Sequence, residues 1–144
     1  MRLICALLPM LVLTGCSSFP ADPEHLKPVP ADRLLGYQEP LEKGGTVAIE
    51  RDFGGMGAGC YIAFKVDYKV AARIGMGEAA RFQVPVGTRV VGIGIDEQDD
   101  TLCGMGRLRR ELAVPVQAGG EYFFRIESSN SSGFDILPEK TLSR

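Results

Sequence analysis

The chemistry open to this chain is limited first by its histidines. General bases and zinc ligands are most often imidazoles, and the sequence holds one, His25, inside a proline-rich stretch. Neither a nucleophile–histidine pair nor a zinc centre is expected. Gly-Met-Gly occurs three times, around Met56, Met76 and Met105. Three converging thioethers would suit Cu(I), but no histidine or free thiol accompanies them. Methionine in a glycine turn then reads as a gap-filler or an apolar tip that touches a partner. The densest acidic run, Asp96-Glu97-Gln98-Asp99-Asp100, lacks the glycine and terminal glutamate of a calcium loop and reads as a solvated hairpin loop. Arg107, Arg109 and Arg110 are the one basic concentration, with Glu111 beside them; they read as a solvated face. Gly75-x-Gly77-x-x-Ala80 matches a loose dinucleotide fingerprint but lies between two predicted strands instead of opening a helix. No catalytic, cofactor or metal site is assigned, and the protein is expected not to be an enzyme.

Residues 1–15 have the layout of an export signal. Arg2 supplies the positive start and residues 3–13 an apolar core. That core is too short to cross a bilayer, which takes about 20 helical residues. Leu13-Thr14-Gly15-Cys16 follows and resembles a lipobox, where lipoprotein signal peptides are cut before a cysteine whose thiol takes a diacylglyceryl group. The resemblance implies a mature chain that begins at lipidated Cys16. A diacylglyceryl group plus an N-terminal acyl chain such as palmitate exceeds the two signals that stable anchoring needs. By resemblance to enterobacterial lipoproteins, serine at positions 17 and 18 implies the outer membrane, with the domain facing the periplasm.

Of the four cysteines, Cys5 falls in the signal peptide and Cys16 carries the lipid. Cys60 and Cys103 remain in an oxidising compartment and are expected to form one structural disulfide. A redox-active thiol would need a close second cysteine or a basic activator, and neither is evident.

The elements that position these residues are short. Residues 16–45 hold Pro20, Pro23, Pro28, Pro30 and Pro40, which interrupt helices and favour extended geometry. Such a tether spans about 3.1 Å per residue. Within it, residues 31–37 suggest one or two helical turns, capped by Asp32 and ended by Gly36, that dock through Leu34, Leu35 and Tyr37. The domain is expected over residues 46–142. Apolar and β-branched runs at 46–51, 61–67, 70–74, 80–84, 89–95, 112–116, 121–126 and 134–137 are bounded by turn signals. Tyr68-Lys69 reads as a tight turn. Gly92 and Gly94 suggest a bend, a bulge or a neighbouring strand in close approach. About eight short strands without a long helix predict an all-β fold, a small antiparallel β-sandwich or barrel.

Several stretches resemble a group of small proteobacterial lipoproteins that form a domain family of unknown function. They are Gly59-Cys60-Tyr61, the run from Phe64 to Ile74, the run from Gly77 to Phe82, the turn Val84-Pro85-Val86-Gly87, and the run from Asp32 to Gln38. Those residues mark turns and core positions. The resemblance implies the β-rich fold and carries no activity.

The net charge is −2, and acidic and basic residues are interspersed. With no basic stripe, nucleic acid is not an expected partner. The function expected is therefore that of a non-catalytic envelope lipoprotein acting as a binding module. Its contacts would be the membrane through Cys16 and an envelope protein through exposed loops bearing methionines and Phe53. Two alternatives are an accessory subunit of an envelope assembly and a periplasmic inhibitor of a cell-wall hydrolase.

Overall fold

The computed structural model describes residues 15–140; the signal-peptide reading of residues 1–14 lies outside them. The strands are β1 (Ser18–Phe19), β2 (Lys27–Pro28), β3 (Gly44–Arg51), β4 (Phe53–Gly54), β5 (Ile62–Val66), β6 (Lys69–Ile74), β7 (Glu78–Pro85), β8 (Gly87–Ile95), β9 (Arg109–Val116), β10 (Glu121–Ser129) and β11 (Gly133–Glu139). All eight runs read from the sequence are strands. The three additional ones, β1, β2 and β4, have two residues each, too few for a period-2 pattern to show.

Two sheets face each other, one in the order β11-β10-β3-β7-β2 and the other β6-β5-β8-β9, with β1-β4 as a separate ribbon. Pairing is antiparallel except for β10 with β3 and β2 with β7. The parallel pair in the middle of the first sheet has a topological cause. β9 ends in the second sheet, the chain turns through Gly119 (φ 74°), and β10 starts in the first sheet at the end where β3 also starts.

Alternation along the strands makes the core. Val47 and Ile49 on β3, Phe82 and Val84 on β7, and Phe124 and Ile126 on β10 meet Phe64 and Val66 on β5 and Val91 and Ile93 on β8, all of them buried. The Phe64 and Phe82 rings close the two sheets at 4.9 Å between centroids. Burying one such ring contributes about 1.5–3 kcal/mol.

The proline-rich segment corrects the expectation of an extended spacer, because it lies along the sandwich. Lys27 N–H donates to Gly77 O and Val29 N–H to Ala79 O. Pro28 and Pro30 have no N–H to give, and they alternate with these donors along an edge strand that needs only every second N–H. Val29 is buried as a result. A single 3-10 turn, Ala31–Arg33, follows. Asp32 lies within it and does not cap it; Pro30 occupies the cap position. Leu34 bridges to Ala72, and Tyr37 Oη donates to Val66 O at 3.1 Å. Both pack against the core, while Leu35 is exposed.

At the hairpin after β5, the positive φ values fall on Asp67 and Tyr68 (47° and 68°). The tight turn is thus one residue earlier than the sequence suggests, and Lys69 is already strand. Two consecutive left-handed residues are the signature of a type I′ turn. Asp67 substitutes for the usual asparagine by accepting the Val90 N–H at 3.0 Å.

Candidate functional site

The strand register gathers the long connections at one end. β3, β6, β8 and β10 finish there, and β5, β7, β9 and β11 begin there. This loop end holds the 52–61 and 96–108 connections, the Gly75-Met76-Gly77 turn and the incoming residues 15–19. The Cys60–Cys103 disulfide ties the two long loops together, with Cα atoms 5.4 Å apart.

Arg51 closes the top of the core. It has the same inward parity as Val47 and Ile49 and is almost fully buried. Its guanidinium donates to Cys60 O at 2.6 Å, Ile74 O at 2.7 Å and Gly57 O at 3.2 Å, and lies under the Phe134 ring. Burial pulls its pKa down to about 10, so it remains a cation at neutral pH. Arg33 makes a two-pronged contact with Glu78 (2.6 and 2.7 Å), and Arg73 another with Asp96. The carboxylate bond raises the pKa of each arginine. Both guanidinium groups lie against Tyr61, at 4.2 and 5.1 Å from its ring centroid. Asp52 takes Arg125 and the Ser18 hydroxyl. Arg33, Arg73 and Arg125 are thus held by carboxylates and Arg51 by carbonyls.

Beside this scaffold lies the candidate site, a groove of about 440 Å³ on the outer face of the second sheet. Its floor is β8, where inward Val91 and Ile93 alternate with outward Gly92 and Gly94. A Cβ on Gly92 would stand 2.5 Å from Arg110 O, and one on Gly94 would stand 3.4 Å from Lys65 Nζ. Glycine at 92 thus lets β9 approach closely, one of the causes expected from sequence, and leaves a trough beside Val90, while Gly94 is buried beneath Lys65. Lys65 and Tyr68 form one wall; Arg107, Arg109 and Glu111 form the other. Arg109 Nε donates to Glu111 at 2.8 Å, which raises its pKa. Lys65 and Arg107 make no ion pair among the described residues.

The other residues singled out from sequence fall in different places. His25 is exposed, 4.0 Å from Asp22. Met76 Sδ accepts the Gly54 N–H at 3.1 Å, and Met56 and Met105 are exposed. The acidic run is split: Asp96 is buried on Arg73, while Asp99 accepts from Thr101, which lowers its pKa. The reading of this run as a solvated loop is therefore corrected at Asp96. Arg110 donates to Ser132 O and Arg109 O and lies 3.8 Å from Asp135, off the groove. Cys16 is exposed and unpaired.

The chain matches no protein-family model, no curated protein and no solved structure. The resemblance to small lipoproteins therefore rests on the residues quoted for it. Sequence reasoning missed Lys65 and Tyr68 as groove walls. The signal that could have found them is the alternation through Val91, Gly92, Ile93 and Gly94, which leaves one face of a strand without side chains.

Proposed function

We propose that the protein is a non-catalytic binding module of the cell envelope, anchored by lipid on Cys16 in the outer membrane and facing the periplasm, which receives a protein partner in the groove over Val90 and Gly92. The groove carries this reading. Its size falls in the range of small binding sites, about 300–1,000 Å³. Its floor is backbone, so an extended segment can lie close to it. The cations Lys65 and Arg107 are available to acidic side chains, and Tyr68 offers an amphipathic wall. Lysine, arginine, glutamate and tyrosine line it together with apolar residues and glycine, a set suited to recognition. No histidine, cysteine or serine lines it to act as a nucleophile–base pair.

The test places a photo-crosslinking amino acid at exposed position 107 of the full chain in its own membranes. A discrete protein adduct should form and should be lost when Val90→Trp fills the trough. Absence of an adduct, or an adduct indifferent to Val90→Trp, rejects the groove as the binding site.

A further inference from the structure

The exposed apolar side chains are unevenly distributed. The four at the loop end that stand out most are Leu102 (84 % exposed), Met105 (76 %), Met56 (68 %) and Phe19 (59 %). They cannot fold inward to hide. Leu102 and Met105 flank Cys103, whose disulfide partner Cys60 ends the loop that carries Met56. Arg51 holds that same loop from beneath by its carbonyls. Phe19 is fixed by β1, where Phe19 pairs with Phe53 and Ser18 with Gly54. Ser18 Oγ in turn donates to Asp52 and accepts the Ser128 N–H at 2.7 Å.

The chain enters at this same end. Gly15 lies against the Asn130 side chain, and Ser17 alone separates Cys16 from β1. Two Cα steps cover about 7–8 Å, whereas the headgroup layer on one side of a bilayer is about 5–7 Å thick. The reach from Cys16 to β1 is thus about the thickness of that layer, and a lipid on Cys16 holds the loop end against the membrane surface. From these placements we infer that the loop end is a membrane-seating face, with Leu102, Met105, Met56 and Phe19 resting in the headgroup layer of the bilayer that holds the Cys16 acyl chains. The occupant is a lipid surface because the anchor and the apolar tips share one end of a rigid sandwich. Exposed Glu97 and Asp100 share that end with Arg107, so the contact is apolar and does not call for anionic lipid. The inference rests on the lipid-anchor reading of Cys16.

The experiment uses full-length protein in native membranes, with the photo-crosslinking amino acid at position 102 or, in a separate variant, at exposed position 118 in the turn at the opposite end. The amino-terminal peptide is analysed by mass spectrometry in the same samples. The expected result is an acylated Cys16 peptide with a phospholipid adduct several-fold more abundant at 102 than at 118. An acylated Cys16 with equal or absent lipid adducts, or with only protein adducts at 102, overturns the seating face and leaves the anchor standing. A Cys16 peptide without acyl chains overturns the anchor and the seating face together.

Discussion

The two ends of the sandwich are held by different chemistry. At the far end the hairpin turns are short. A single residue, Val86, separates β7 from β8, and two left-handed residues separate β5 from β6. Backbone hydrogen bonds there, such as Gly120 N–H to Gln117 O and Thr46 N–H to Gly120 O, are joined by local side chains: Arg89 donates to Pro85 O and Val86 O, and Tyr122 Oη donates to Pro115 O while accepting the Gln117 N–H. At the loop end the connections are long, and the sequence supplies a disulfide, a buried arginine satisfied by carbonyls, and paired charges. The contrast shows where a small β-domain must add specific bonds. A tight turn leaves few polar groups, which side chains at its own strand ends can reach, whereas a long loop across the mouth of a sandwich leaves carbonyls facing the core that a buried side chain must cover.

Three changes test this contrast. Replacing Cys60 and Cys103 together by alanine should cost most. Their separation of 43 residues gives about 4 kcal/mol in the chain-entropy account. Urea denaturation should show the loss, and the same measurement on reduced wild type should reproduce it. A loss well below that would mean that Arg51 and the ion pairs hold the loops unaided. Arg51→Met comes next. It keeps much of the volume but leaves the Cys60 and Ile74 carbonyls without their donor, at about 1–3 kcal/mol for each buried group left unsatisfied. Thermal unfolding should report about 3 kcal/mol, and proteolysis should cut first within residues 52–61. The smallest effect belongs to the far end. Tyr68 holds a φ of 68°, a strained value for a residue with a side chain. Tyr68→Gly should stabilise the protein by about 0.5–1 kcal/mol and at the same time weaken adduct formation at position 107, since the tyrosine forms a wall of the proposed groove. A destabilised Tyr68→Gly would show that the ring contributes more to packing than the turn costs.

Much of the fold was legible because period-2 alternation survives wherever a strand is long enough and one face is buried. Ala80, Phe82 and Val84 on β7 are such a case. The disulfide was legible because the export-signal reading of the first 16 residues set two cysteines aside and left one pair. What could not be read depends on partners distant in the chain. Asp96 looked like one of four solvated carboxylates until β6 brought Arg73 beside it. Residues 16–45 looked like a spacer because prolines dominate them, yet the register that lets Lys27 and Val29 donate is set by β7, fifty residues later in the chain. The groove was half visible: the glycines of β8 signalled a close approach, but only the sheet order identifies Lys65 and Tyr68 as one wall and β9 as the other.

One bond carries a consequence for the order of assembly. Ser18 and Ser128 are 110 residues apart, and the Ser18 hydroxyl accepts the Ser128 N–H. β3 likewise has β10 as one of its two neighbours in the sheet. A chain delivered from its amino terminus presents β3 early but cannot complete that sheet until β10 has arrived. Contacts between distant positions slow folding, and an unpaired central strand is prone to associate with the wrong neighbour. β3 therefore keeps an open edge until nearly the whole length of the chain has been delivered.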